Sequence, residues 1–454
     1  MTCTTHHPIA VVPVPLTPLI GHSDEIARIT DLLGDDAVRL VTLTGPGGVG
    51  KTRLALQLAS DISAQFADGA AFVSLAPVRD PDLVIPAIAA TLGLHDIGGT
   101  PVAERLIAFL RHRDLLLVLD NVEQLLAAGP IIVDLLGTCP GLTLLVTSRA
   151  KLRLSGEHVV PIAPLALPAE VPVPLEEVRD APGIRLFVLR AQAIQPTFAL
   201  TAENVSTVRA ICARLDGLPL AIELAAARLD HLPLTTLLAR LDPSLPLLTG
   251  GPRDLPDRLR TMRDAIAWSY DLLNEDEQRL FCRLAVFRNG ISQEAIEALG
   301  VSHGRSGFDL VAALVDASLL QREAREDEPR YRMLETVREF GLEQLAEHGE
   351  LPAARHAHAA YFLDLAERAA PEWWGPTPGV WLDRLAADYD NLRAAFEWAL
   401  VHDDPHLGGS LVAALHWYWR IRGPVSEGRH WMEATLSRSG HLDPRVRAAV
   451  LTRG

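Results

Sequence analysis

The chain has 454 residues, enough for three or four domains, and a formal charge of −15. That charge disfavours bulk binding to nucleic acid or anionic membranes, leaving only a local basic patch open. With 48% hydrophobic and 5% aromatic residues it reads as a Leu/Ala-rich globular protein, and no apolar run approaches the roughly 18 residues of a membrane span.

Residues 1–18, with His6, His7, Pro8, Pro13, Pro15 and Pro18, read as an extended arm. They lack the basic start and apolar core of a signal peptide. Cys3, Cys139, Cys212 and Cys282 are scattered without CxxC pairing, which points to reduced thiols and a cytoplasmic setting. Leu19-Ile20-Gly21-His22 leads into a helix with Ser23 or Asp24 as its N-cap.

Val38–Thr44 is an apolar, β-branched run, read as a buried strand, and Arg53–Ala59 reads as a helix. Between them Gly45-Pro46-Gly47-Gly48-Val49-Gly50-Lys51-Thr52 fits the phosphate-binding pattern G-x-x-x-x-G-K-[ST]. Glycines let the backbone curl so that several N–H groups face one anion, and the helix adds the positive end of its dipole. Lys51 is positioned for the β- and γ-phosphates and the Thr52 hydroxyl for Mg²⁺. The chain has two lysines, Lys51 and Lys151, among 42 basic residues. At that rarity a chance lysine in the loop falls to roughly one case in a thousand. An ammonium point charge suits a phosphate pocket that a guanidinium fork would not fill equivalently.

Ala70–Leu75 reads as a second strand, followed by helices near 82–93 and 101–112. Leu115–Asp120 is a fully apolar run ending in an acid, the pattern of a strand buried on both faces of a parallel sheet. Its carboxyl end is where such sheets bind ligands, so Asp120 is placed to hold Mg²⁺ through water, opposite Thr52. Many working NTPases carry a second acid next door as base for the attacking water; here that neighbour is Asn121, and Glu123 is a weaker substitute. Leu142–Val146 leads into Thr147-Ser148-Arg149, and an arginine at that strand end can sense a γ-phosphate bidentately. Glu157–Ile162 reads as the last strand.

A proline-rich crossing with Pro161, Pro164, Pro168, Pro172, Pro174 and Pro182 leads to helices over 183–195, 202–215 and 220–229. Pro219 suits the first turn of the last of these, and its ring is also a plate that could lie on an adenine. A break runs from Asp242-Pro243 through Gly250-Gly251-Pro252 to Pro256. Beyond it, an amphipathic stretch over 259–273 and helices over 275–286 (started by Asn274 and Glu277), 293–299 and 307–317 precede a hairpin of 319–322 with 330–333, a winged-helix pattern. The candidate recognition helix, 306–318, carries Asp309 and Asp316 but no Lys or Arg, which argues against phosphate contacts with DNA. Helices over 356–370, 380–400, 407–421 and 428–436 close the chain, with Trp373, Trp374, Trp398, Trp417, Trp419 and Trp431 as core packing or a partner groove.

The segments GPGGVGKT, LLLVLDN, TSR and GLPLAIELAAAR, in this order, resemble the NB-ARC branch of the STAND signal-transduction ATPases. The bacterial members most similar are regulators of the LuxR and antibiotic-regulatory types. LTPLIG and RYRMLETVREF are similar too, so the resemblance covers roughly 16 to 348. It implies ATP/ADP with Mg²⁺ in a cradle of residues 45–53, Arg53 included, Ile20 bordering the adenine, Pro219 packing on it, and Arg149 on the γ-phosphate. Two departures stand out: Gly21-His22 replaces the usual Gly-Arg, and Met333-Leu334-Glu335 lacks the histidine of a Met-His-Asp sensor.

The expected architecture is an arm (1–18), an α/β P-loop NTPase with a parallel sheet (19–165), an all-α connector (166–250), a winged helix (251–348) and TPR-like helices (349–454) that read as a truncated or short member. The expected function is a switch whose helical domains close around ADP, with Lys51, Asp120 and Arg149 as its catalytic set. ATP·Mg²⁺ would open it to self-association, slow ATP hydrolysis would reset it, and a ligand or protein at the C-terminal helices would bias it. Rival readings are a fast NTPase or kinase, a regulator binding DNA through the winged helix, and a nucleotide-locked scaffold.

Overall fold

The computed structural model describes residues 9–94, 101–168, 174–251, 256–299, 306–323, 329–402, 404–437 and 448. Pro172, residues 252–255 of the central break, and 438–447 and 449–454 of the tail lie outside the described residues. The chain forms two compact units, Met1–Leu272 with Asp316–Ser318, and Leu273–Val315 with Leu319–Gly454.

The first unit is built on a six-stranded sheet whose pairings are all parallel. Its strands are β1 (Ile9–Val11), β2 (Leu40–Thr44), β3 (Gly69–Ser74), β4 (Leu115–Asp120), β5 (Leu142–Thr147) and β6 (Glu157–Pro161), in the order β1-β3-β4-β5-β2-β6. Helices α1 (Ser23–Leu33), α2 (Lys51–Ile62), α3 (Val84–Thr91), α4 (Val102–Leu110) and α5 (Gly129–Thr138) connect the strands from β1 to β5, while β5 runs on to β6 without a helix. Strands β2, β4 and β5 are buried at every position, which is why they are spelled with unbroken Leu, Val and Thr rather than alternation. Register sets Leu43 opposite Thr147 and Leu119 opposite Val146, so the carboxyl ends of β2, β4 and β5 finish level.

Residues 9–11, read from the sequence as part of an extended arm, add an edge strand to this sheet. The connector follows as α6 (Leu175–Asp180), α7 (Pro182–Ile194), α8 (Val205–Arg214), α9 (Pro219–Ala226) and α10 (Leu234–Ala239), and α11 (Met262–Tyr270) completes the unit. Cys139 and Cys212 are buried and free here.

The second unit holds the winged helix: α12 (Glu275–Leu284), α13 (Gln293–Leu299) and α14 (Gly307–Asp316) with β7 (Ile291–Ser292), β8 (Gln321–Glu323) and β9 (Arg330–Arg332). The expected hairpin is β8 with β9; β7 adds a third antiparallel strand on the other side of β9. Asn274 and Glu277 form the capping box at the start of α12. Then come α15 (Glu335–Glu347), α16 (Leu351–Ala369), α17 (Pro378–Ala387), α18 (Tyr389–Val401), α19 (Pro405–Ile421) and α20 (Val425–Ser437). Among the described residues no helix is long and apolar enough to cross a membrane.

Within this unit a buried polar knot ties α18 to the winged helix. Asn391 donates to Gly290 O at 2.9 Å, accepts from Arg288 N at 2.7 Å, and lies 3.3 Å from His358 Nε2. Arg330 pairs with Asp388 at 2.6 Å, both buried. Burial presses His358 down to about 4, so the ring is neutral across the physiological range. Each bond left unmade in such a place costs on the order of 1 kcal/mol or more. Asn391→Ala should therefore destabilise this unit by about 2–4 kcal/mol, read as an earlier unfolding transition of the full chain, with Tm unchanged counting against the knot.

Candidate functional site

The glycine loop leaves β2 and enters α2 through Gly50, whose φ of 101° is a left-handed conformation open to glycine. A Cβ on Gly47 would stand 2.9 Å from Ala265 O and 3.0 Å from Arg149 Nη1, so this turn is overlaid by α11 and by the arginine that follows β5. Leu220 N donates to Gly48 O at 3.1 Å, which fixes the start of α9, and with it Pro219, on the same loop.

Lys51 is half-buried and its ammonium donates to Gly45 O at 2.5 Å and Pro46 O at 3.0 Å. Desolvation, with the Arg149 charge as a second cause, lowers its pKa to about 7. Thr52 Oγ1 donates to Asp120 Oδ1 at 2.7 Å, and so does Thr147 Oγ1, at 2.7 Å. Burial raises the Asp120 carboxyl above its ordinary value, against the two hydroxyl bonds that favour its charged form. Thr147 Oγ1 also accepts from Asn121 N at 2.9 Å, so one hydroxyl links the ends of β4 and β5.

Arg149 is 4% exposed and Glu123 6% exposed. Arg149 Nε donates to Glu123 Oε1 at 3.1 Å, and its Nη1 donates to Ala265 O at 2.6 Å and to Ser269 Oγ. Burial depresses the guanidinium pKa and Glu123 works against that. Asn121 sits at φ 71° and its side chain turns sideways, donating to Gln124 Oε1 at 3.1 Å and accepting from Arg258 at 3.0 Å. Arg258 in turn lies over the Trp268 ring of α11, 5.6 Å from its centroid.

This set fits a nucleoside polyphosphate with Mg²⁺. The loop amides and Lys51 would hold the phosphates, and Thr52, with Asp120 through water, would hold the metal. The NB-ARC domain family matches residues 22–160, and a winged helix-turn-helix domain family matches residues 273–346. The uncharacterised protein Rv0894 of Mycobacterium tuberculosis is 38% identical over 343 residues, 74% of this chain and 84% of that one.

The chain carries an NB-ARC domain and belongs to the same family as Rv0894. A protein of Mycobacterium tuberculosis named as an HTH-type transcriptional regulator, Rv0890c, is 38% identical over 88% of this chain and 44% of its own length. Regulatory protein AfsR of Streptomyces coelicolor is 28% identical over 94% of this chain and 44% of its own. The chain therefore spans less than half the length of these two regulators. A STAND protein with a tetratricopeptide repeat sensor from Pyrococcus horikoshii aligns over 98% of this chain and 62% of that one, at 15% identity and TM-score 0.31.

In this NB-ARC domain the structure brings together Lys51, Thr52, Asp120 and Arg149 around the loop. It does not bring the Arg53 side chain there: that guanidinium donates to Thr17 O at 2.9 Å and pairs with Glu223 at 3.3 Å. Arg53 thus ties the arm to α9. Gly21, next to Ile20, packs against Leu165 and Pro182, and Leu165 N donates to Gly217 O at 3.0 Å. That chain of contacts brings the Leu19–His22 segment near the Pro219 turn. His22 is buried, 3.7 Å from Glu25, and its Nε2 has no hydrogen-bond partner among the described residues. The sequence reading left out Thr147 as a link and Ala265, Ser269 and Arg258 altogether.

A lysine depressed to about 7 gives a pH signature. Above that value the free loop holds Lys51 mostly neutral, and a bound phosphate restores its charge. Binding at pH 8 should then take up about one proton, and affinity should fall about tenfold per pH unit above 7. Calorimetry in buffers of different ionisation enthalpy counts the proton; no uptake at pH 8 contradicts the depressed lysine.

Proposed function

We propose that the chain is the nucleotide-operated switch of a bacterial regulatory protein. ADP favours a closed arrangement in which Arg149 is bound to α11. ATP·Mg²⁺ offers Arg149 a γ-phosphate instead, releases α11, and favours an open form that self-associates. Slow hydrolysis returns the protein to ADP. A ligand or protein partner at the TPR-like C-terminal helices biases the balance, since an effector shifts a switch only through differential affinity for its two states. The names of the longer relatives support an output in transcription, LuxR-type or otherwise.

The observation that carries this reading is the double engagement of Arg149, set against Gly47 of the phosphate loop and bonded to Glu123 and to α11. It also supplies a lock for the closed state in a chain whose winged helix carries Met333-Leu334-Glu335 in place of a histidine sensor. Direct DNA binding is the second reading. The α14 sequence, with Asp309 and Asp316 and no basic residue, weighs against it.

The test is nucleotide affinity in two variants of the full chain. Lys51→Ala should weaken ATP and ADP alike, by roughly 10–100-fold. Arg149→Ala should weaken ATP by roughly 10–100-fold and ADP by less than about threefold. Equal losses in Arg149→Ala would remove the sensing role, and undiminished nucleotide content in Lys51→Ala would remove the pocket.

A further inference from the structure

Many NTPases of this plan use a carboxylate to draw a proton from the attacking water, and here the position beside Asp120 holds an amide, Asn121. The structure also turns that amide away: at φ 71° its side chain is engaged by Gln124 and Arg258. Two residues on, Glu123 opens the 3₁₀ turn Glu123–Ala128 and points inward, 94% buried, bonded through Oε1 to Arg149. Its Oε2 is buried with no hydrogen-bond partner among the described residues. The Arg149 guanidinium bonded to Oε1 also stands 3.0 Å from where a Cβ on Gly47 would lie, and the Glu123 charge acts on both Lys51 and Asp120. A solvated helix glutamate has none of these features. A buried acceptor without a donor is costly, and a water held at Oε2 relieves that cost.

We infer that Glu123 is the general base of this site, displaced in sequence from its usual place, and that Arg149 gates it. The inference rests on the switch reading above. With Arg149 bonded to Oε1, the carboxylate is held by the guanidinium and is not free to take hold of a water. When Arg149 moves to a γ-phosphate, Glu123 is free to orient the water. Oε2 takes one proton as the water oxygen bonds to the γ-phosphorus. The bond from that phosphorus to the bridging oxygen breaks, its electron pair leaves with ADP, and Glu123 later returns the proton to solvent. Sensing and cleavage are thereby ordered: the base becomes active only after the third phosphate has been recognised.

The test uses the full chain and three readouts: affinity for Mg·ATP and Mg·ADP, single-turnover ATP cleavage, and the nucleotide that co-purifies. Glu123→Gln should keep ATP affinity within about threefold while cleavage falls at least about a hundredfold. Its co-purified nucleotide should shift from ADP toward ATP. Glu123→Asp, slower because its side chain is one methylene shorter, should cleave at a rate between wild type and Glu123→Gln, and it carries the test if the Gln variant does not fold. Cleavage in Glu123→Gln within about threefold of wild type overturns the assignment, as does Glu123→Asp cleaving as fast as wild type. Failure of the wild type to bind nucleotide defeats the switch reading itself; normal binding with unchanged cleavage defeats only the base.

Discussion

A guanidinium that is 4% exposed must always have acceptors, because an unpaired buried charge costs several kcal/mol. Arg149 has three, the Glu123 carboxylate, the Ala265 carbonyl and the Ser269 hydroxyl, and all lie within reach of the phosphate loop. This requirement is what links the parts of the first unit. Whatever else offers negative charge beside Gly47 competes with Glu123 and α11 for the same five donors. In the switch proposed for this chain, the competitor is the third phosphate, and the loss on one side offsets the gain on the other. The balance can then be tuned by a small bias from a partner.

The sheet order makes that competition geometrically available. The strand carrying the loop, β2, and the strand ending in Asp120, β4, are separated by β5. At about 4.8 Å per strand this opens a gap of roughly 10 Å between loop and acid. The end of β5 fills it, with Thr147 bonded to Asp120 and Arg149 reaching over Gly47. Thr52, entering from α2, closes the gap from the other side. A nucleotide phosphate chain and a metal would thus meet hydroxyl, carboxylate, ammonium and guanidinium groups delivered by three different strand ends.

The loop and the strand ends that carry Asp120 and Arg149 beside it were legible because each is spelled locally: glycines before Lys51-Thr52, and apolar runs closing on a polar residue. What the sequence could not show is who engages Arg149. Glu123 is 26 residues away and Ser269 is 120 away, and neither spacing has a periodicity to read. Arg53 was misplaced for a related reason. It adjoins the loop in the chain, yet two residues along a helix turn a side chain by about 200° from Lys51, toward Thr17 and Glu223. Strands β1 and β7 were missed because three and two residues are too short for alternation to register. The winged helix and its capping box, by contrast, were written in Asn274, Glu277 and the apolar spacing after them.

The coupling of Arg149 to α11 can be observed directly by hydrogen exchange of the Met262–Tyr270 amides, in the presence of magnesium with either ADP or a non-hydrolysable ATP analogue. The account predicts protection with ADP and faster exchange with the triphosphate analogue at equal occupancy. Identical exchange in the two states, with both nucleotides bound, would contradict it.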